Sequence, residues 1–305
     1  MIRFISFLDR LGIHMHITLR QIHIFMAIYQ QGSTTQAAKT LSLSQSAIST
    51  ALSELEAQLN TPLFDRVGRR LLINNAGKLL ASKAQNLLDQ AQEIEQLFNT
   101  HPITLQIGAS TTIGNYLLPK IIAEFIHNYA NINIALHVHN SEHIIKGIND
   151  LKYDLGFIEG LPPVHYPHIK HTPWKEDELI LFSAIKSQYI STTHPSIAQL
   201  QQAPLILREA GSGTRAIIEQ QFLDHIQIPQ IIEIGHSEAI KQSVLYDLGV
   251  GCLSTFVIND LIQQQKIQKL EVNNLKISRT LWKIQHLSKH ISPALQTFIN
   301  FIVTH

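Results

Sequence analysis

One cysteine in 305 residues, Cys252, is too few for an internal disulfide or a cysteine-based zinc site. That scarcity suits a reducing cytosol, and a lone cysteine among apolar neighbours reads as packing. No apolar run reaches the length of a membrane span, and Asp9 and Arg10 interrupt the apolar start where the core of an export signal would lie. The first fourteen residues therefore read as a disordered or over-called start ahead of Met15, and the expected setting is cytoplasmic with no membrane partner. The phosphate-loop signature and the dinucleotide Gly-x-Gly-x-x-Gly pattern are both missing. Gly211-Ser212-Gly213 lacks the flanks of a Gly-x-Ser-x-Gly nucleophile elbow, and the sequence places no base beside it. No enzyme and no cofactor is expected. His137 and His139 share a strand face with His143 nearby, but seventeen histidines make such clustering ordinary, so no metal is expected either.

What is present is a chain too long for one ordinary core, with 45% apolar residues and a net charge of +1. The charge is uneven. Residues 1–75 carry seven Lys or Arg against four acids, leaving the remainder at −2, a weak pointer to nucleic acid at the N-terminus. From Leu19 the apolar positions Ile22, Phe25, Met26 and Tyr29 recur at helical spacing until Gly32 stops the run. Two short helices follow, Thr34 to Leu41 after Ser33 and Gln45 to Leu59 after Ser44, and the break Ser42-Leu43 forces an abrupt change of direction. Pro62 to Asn75 reads as a small hairpin around a Gly-Arg-Arg tip.

From Ala76 to Phe98 there is no proline and no glycine after Gly77, while Leu80, Ala84, Leu87, Ala91, Ile94 and Phe98 alternate spacings of four and three. That is a coiled-coil seam on a helix roughly 35 Å long, which needs a partner. After Pro102 the texture turns to alternating strands and helices, which implies a mainly parallel sheet in an α/β domain. Pro162-Pro163 and the His/Pro-rich stretch to Pro173 interrupt it, a second run occupies roughly 175–267, and a strand near Ile277–Gln285 precedes a closing helix, Pro293–Val303.

Within Thr34–Ser53, Ala37 and Ala38 allow a close helix crossing, and Ile48, Leu52 and Leu55 turn one face of the second helix to the core. The opposite face carries Gln45, Ser46, Ser49 and Thr50 at its N-terminal turns, side chains able to hydrogen-bond base edges. A small helical domain with a solvated polar face would look similar. What argues against it is the conjunction with a wing bearing Arg66, Arg69 and Arg70 and a dimerising seam directly after.

Gly-Ser-Thr-Thr-Gln-Ala-Ala at 32–38, Leu-Ser-Leu-Ser-Gln-Ser-Ala-Ile-Ser at 41–49, Leu-Glu at 55–56 and Pro-Leu-Phe-Asp-Arg at 62–66 resemble the N-terminal domain of LysR-type regulators. The resemblance implies a winged helix-turn-helix over 15–75 with Gln45, Ser46 and Ser49 at bases, Arg66 at a phosphate and Arg69 on the wing beside the minor groove. It also implies promoter DNA as partner, a linker helix over 76–99, a homodimer through that helix, a homotetramer by further pairing, and RNA polymerase as a further partner. Many relatives carry a basic residue where this chain has Thr50, and no Lys or Arg occurs from Ser44 to Leu59. Phosphate neutralisation therefore falls on the wing and on Arg20 and Lys39.

Ser110, Thr111 and Thr112 stand where the first strand of the α/β part meets its helix, and Glu209-Ala-Gly-Ser-Gly-Thr-Arg215 again puts hydroxyls ahead of a helix. Hydroxyls with backbone N–H groups at helix starts suit an anion, although ordinary N-capping would use the same residues. This part resembles the family's effector domain, built like a periplasmic binding protein over 100–305, with subdomain I at 102–162 and 268–305 and subdomain II at 163–267. On that resemblance a small polar, anionic effector sits between the subdomains against Ser110, Thr111, Thr112, Asn140, Ser141, Glu159, Ser212 and Thr214. Residues 107–119 resemble the branch that includes regulators of sulfur assimilation and carbon fixation. The competing reading is a solute-binding or ligand-carrier protein with an accessory helical domain, which would leave the wing and seam unexplained.

Overall fold

In the computed structural model, the structure describes residues 16–67, 70–96, 102–272 and 275–303. The start before Met15, the wing-tip residue Arg69 and the seam residue Phe98 lie outside the described residues. The chain divides near Thr100 into two units.

The first unit opens with α1 (Leu19–Gln31), α2 (Thr34–Leu41) and α3 (Gln45–Gln58). Thr18 and Gln21 form a reciprocal capping box at the start of α1, and Gly32 ends it at φ 64°, a left-handed value that a residue without Cβ adopts freely. Ser44 caps α3 by accepting from the Ala47 N–H, whereas Ser33 holds the cap position of α2 without a side-chain hydrogen bond. Ala37 and Ala38 are buried at the crossing of these helices. Phe25, Ile28, Ile48 and Leu55 are fully buried with them, each contributing about 1.5–3 kcal/mol of burial. The hairpin β1 (Phe64–Val67) and β2 (Arg70–Ile73) lays Phe64 against Phe25, ring centroids 5.6 Å apart. α4 (Asn75–Gln96) follows. Its expected seam is split: Ala84 is buried against the unit's own core with Ala81, Leu80 is half-buried, and Leu87 and Ile94 remain 45% and 63% exposed.

The second unit is built on one nine-stranded sheet. Its strands are β3 (Ile103–Ser110), β4 (Ile132–His139), β5 (Leu155–Glu159), β6 (Ile169–Ala184), β7 (Leu205–Leu207), β8 (Ile231–Glu233), β9 (Val250–Ser254), β10 (Ile267–Leu270) and β11 (Ile277–His286). The order is β4-β3-β5-β11-β6-β9-β7-β8, with β10 beside β6. The sheet is mixed rather than mainly parallel: β4-β3-β5 and β9-β7-β8 are parallel, but β6 and β11 pair antiparallel with each other and with their neighbours. These two long strands cross between two lobes. The first half of β6 pairs the second half of β11 beside β5, and Leu179–Ala184 pairs β9 and β10, so the passage lies inside β6 and β11, later than the divide expected at 162/163 and 267/268. Pro173, expected to end the interrupting stretch, lies within β6. It is tolerated because the register shifts opposite it, between Leu281 and Trp282, where no regular ladder bond is owed.

Helices cover both faces: α5 (Leu118–Asn128, after a π-helical turn at Ile113–Leu117), α6 (Ser141–Asn149) and α11 (Pro293–Val303) in the first lobe, α7 (Ile197–Leu200), α8 (Gly213–Ile218), α9 (Ser237–Leu245) and α10 (Thr255–Gln263) in the second. Separate apolar clusters hold them, centred on Phe125, Phe157 and Phe298 in one lobe and on Phe182, Phe222 and Ile240 in the other. Cys252 is buried on β9, and burial pushes its thiol up to about 12, in keeping with a packing role. Among the described residues no helix is long and apolar enough to cross a membrane.

Candidate nucleic-acid interface and candidate ligand cleft

In the first unit, the pitch of α3 decides which side chains are free. Ile48, Leu52 and Leu55 take the inward positions, and the turns between them leave Gln45, Ser46, Ser49 and Thr50 exposed together. The Ser44 and Ser46 hydroxyls lie 3.0 Å apart, so the cap and the face share one hydrogen-bonding edge. Arg66 is exposed on β1, and Arg70 opens β2 across the hairpin from Val67. Arg20 and Lys39, on α1 and α2, are exposed as well. The face can donate and accept hydrogen bonds but carries no charge of its own.

In the second unit, the strand ends bring the two lobes face to face. Ser110, Thr111, Thr112, Ser141, Glu159, Ser212 and Thr214 are all buried there, and Asn140 is half-buried as the N-cap of α6, accepting from the His143 N–H. The lobes touch through backbone: the Glu142 N–H donates to the Gly211 carbonyl, and Gly160 and Gly213 meet so closely that a Cβ on Gly213 would lie 1.8 Å from the Glu159 carbonyl oxygen. Ser141 donates to that same carbonyl at 2.8 Å.

Two buried arginines organise the hydroxyls. Arg208, at the end of β7, donates to Thr111 Oγ1 at 3.3 Å and Ser237 Oγ at 3.0 Å and grips Glu209 with two N–H groups. Burial pushes the Glu209 carboxyl up, but the guanidinium outweighs it and holds the group below its ordinary value. Arg279, on β11, donates to Asp177 at 2.7 Å, Thr214 at 2.8 Å and Thr112 at 3.3 Å. Its Nη2 also lies 2.7 Å from Glu159 Oε2, a close ion pair although no N–H is aligned on that oxygen as a hydrogen bond. Ser254 completes Asp177 by donating to it at 2.7 Å. Ser110 Oγ and Ser212 Oγ are buried without a partner among the described residues.

The expected cleft residues lie near the lobe junction, yet the groups that gather three of their hydroxyls into two networks, Arg208 with Ser237 and Arg279 with Asp177, escaped the sequence reading. Arg208 had a signal, a charge directly after the apolar run Leu205–Leu207. Asp177 and Arg279 had none, because they meet only through the β6-β11 register. The histidines are engaged otherwise: His137 shares a 2.8 Å hydrogen bond with Gln106, and His139 stacks on His143 at 4.2 Å.

Comparison with known proteins follows this geometry. Residues 19–78 match the bacterial regulatory helix-turn-helix protein family lysR, and residues 102–305 match the LysR substrate binding domain. YeiE of Escherichia coli K12, described as an uncharacterized HTH-type transcriptional regulator, is 46% identical over 288 residues, covering 94% of this chain and 97% of the relative. A probable RuBisCO transcriptional regulator of Nostoc is 33% identical, covering 92% and 86%. A full-length OxyR variant of Pseudomonas aeruginosa superposes with a TM-score of 0.71 at 21% identity, covering 95% of each chain.

Proposed function

Because the chain belongs to the LysR family and is a DNA-binding transcriptional regulator with an effector-binding domain, we propose that a compact anionic effector, held between the two lobes, controls its hold on a promoter. In this reading Gln45, Ser46 and Ser49 contact bases with Thr50 on the same DNA-facing side, Arg66 contacts a phosphate, Arg69 lies on the wing beside the minor groove, and Arg70 joins it at the DNA. Dimerisation runs through α4, a tetramer forms by pairing of effector domains, RNA polymerase is the downstream partner, and the cytoplasm is the place of action. The family is one of regulators, typically non-enzymatic, and the helix-turn-helix match tells against a solute carrier with an accessory helical domain.

The observation that carries the effector reading is Arg208: a buried guanidinium of one lobe bonded to Thr111 of the other, beside the unpartnered Ser110 hydroxyl. A guanidinium and hydroxyls at strand ends are the donors an oxyanion or carboxylate uses. An anion there would add contacts made only when the lobes are together, so its binding would favour that arrangement by its differential affinity.

The test is a thermal-shift screen of the full chain against inorganic oxyanions and small carboxylates, with and without promoter DNA. A ligand at a hundred times its Kd should stabilise the chain by about 2.7 kcal/mol. Thr111→Val and Thr112→Val should erase the gain. Variants responding like the parent chain, or a response confined to aromatic and aliphatic compounds, would remove the anion reading and leave the DNA-binding assignment in place.

A further inference from the structure

The segment that follows β3 is anchored in the first lobe and reaches into the second. Ile113 and Leu118 are fully buried in the first lobe's cluster, and Gly114 packs so closely on β4 that a Cβ there would lie 2.7 Å from Val138 Cγ2. Between these anchors the chain makes the π-helical turn Ile113–Leu117, closed by the Leu118 N–H donating to the Ile113 carbonyl. In a regular α-helical turn residues three and four apart share a face, which would put Tyr116 and Leu117 on the side of Ile113. The wider i→i+5 turn brings Leu118 round to Ile113 instead. Tyr116 is thereby released to pack against the second-lobe cluster that includes Ile240 of α9 and Val257 of α10.

What Tyr116 meets there is a buried charge. Lys241, on α9, is 4% exposed, and its ammonium lies 3.3 Å from Glu238 Oε1 and 3.3 Å from Asp260 Oδ2, two carboxylates that remain about half exposed. That ammonium sits 5.8 Å from the centre of the Tyr116 ring, and the Tyr116 hydroxyl donates to Glu238. A cation–π contact and a charge-assisted hydrogen bond thus reach from the first lobe to one ion cluster of the second. Glu238 adjoins Ser237, which accepts from Arg208, and Arg208 also donates to Thr111, on the same segment as Tyr116. The Arg208–Thr111 and Tyr116–Glu238 bonds therefore join the same parts of the two lobes. A bland account is that Tyr116 only fills apolar space. Phenylalanine would fill it as well, so that account leaves unexplained a hydroxyl placed on the carboxylate that already holds Lys241.

We propose that Tyr116 is a positioning residue that, through Glu238 and Lys241, latches the two lobes together before any effector is bound. Its grip uses none of the Arg208 donors, so an effector that draws Arg208 away from Thr111 or Ser237 leaves the lobes joined at Glu238. Only the joined arrangement keeps the hydroxyl on its carboxylate and the ring beside the ammonium, so these contacts raise the population of that arrangement. A larger joined fraction tightens the apparent affinity of any ligand that needs both lobes, by one factor common to all such ligands. The latch acts on the lobes and is indifferent to which effector lies between them, so it holds whether or not the anion reading does.

The experiment is hydrogen exchange read by mass spectrometry on the full chain with no ligand added, in the parent, Tyr116→Phe, Glu238→Ala, Glu238→Gln and the variant combining Tyr116→Phe with Glu238→Ala. Tyr116→Phe keeps the ring beside Lys241 and removes one hydrogen bond, so exchange in 113–118 and 237–245 should quicken about fivefold while α3 keeps its parent rates. Glu238→Ala should quicken the same segments, and adding Tyr116→Phe to it should quicken them no further, because the contact is already gone. Glu238→Gln keeps an acceptor for the hydroxyl and should stay closer to the parent than Glu238→Ala does. Parent rates in Tyr116→Phe would overturn the latch. Quickening spread evenly over β3 and β9 would overturn it too, since that is the mark of a general loss of stability. Effects that add in the combined variant would do the same, by showing that Tyr116 and Glu238 act apart. The oxyanion response is read separately in the thermal-shift screen, so a failed latch leaves the ligand cleft standing.

Discussion

Ser49 and Arg66 are both exposed in the first unit, yet their loss should remove different quantities. Ser49 lies on the hydrogen-bonding face of α3, so Ser49→Glu sets a carboxylate against base edges and phosphates and should abolish operator binding, measured by gel shift, with the melting temperature unchanged. Arg66→Ala should instead weaken all DNA sequences alike and lower the slope of log K against log salt by about one phosphate contact. A changed sequence preference with an unchanged salt slope would reverse these two roles. Glu209 offers a test of the cleft. Its folded carboxyl titrates below the unfolded one, so its contribution to stability is fully present above the unfolded value of about 4.3 and is lost as pH falls through the lower folded value. The melting-temperature gap between the parent chain and Glu209→Gln should therefore be open at neutral pH and close in acid. A gap independent of pH would mean that the pair with Arg208 contributes nothing through charge.

Among the elements, α4 differs most from its sequence pattern, and the difference is instructive. The 4-3 alternation is real, but the helix has two neighbours to satisfy: Ala81 and Ala84 turn to the unit's own core, and Leu87 and Ile94 are left on the surface. A pattern of apolar residues records that a face is covered and is silent on what covers it. Leu87, Leu80 and Ala84 share a groove with Ile17, Leu19 and Ile22. Leu87→Asp should place a charge in that seam and turn the dimer into monomers by light scattering, while far-ultraviolet circular dichroism holds. A dimer that persists would dismiss the seam. The helix start at Ser44 was legible because its cap is a local bond, made within three residues. Pro173 misled for the converse reason: a proline stops a regular ladder, and only the pairing with β11, irregular next to it, reveals that the strand continues.

At the scale of the whole molecule, the two lobes of the second unit depend on an approach that tolerates no side chain. Gly213→Ala would drive a Cβ into the Glu159 carbonyl, so the lobes must separate there. Hydrogen exchange at residues 110–113 and 208–214 should quicken in this variant, with a stability loss of about 1–3 kcal/mol. Protection equal to that of the parent chain would show that the backbone adjusts without opening. The sequence by itself determined the helix-turn-helix, the wing, the linker helix and the α/β character of the remainder, because each rests on periodicity, caps and turns within a few residues. It also placed hydroxyls at two helix starts, since strand ends and caps are local too. Only the tertiary structure decided that Arg279 would meet Asp177, 102 positions away, and that Arg208 would reach Thr111 in the other lobe. Those outcomes follow from strand register and lobe closure, which bring together groups that have no relation along the chain.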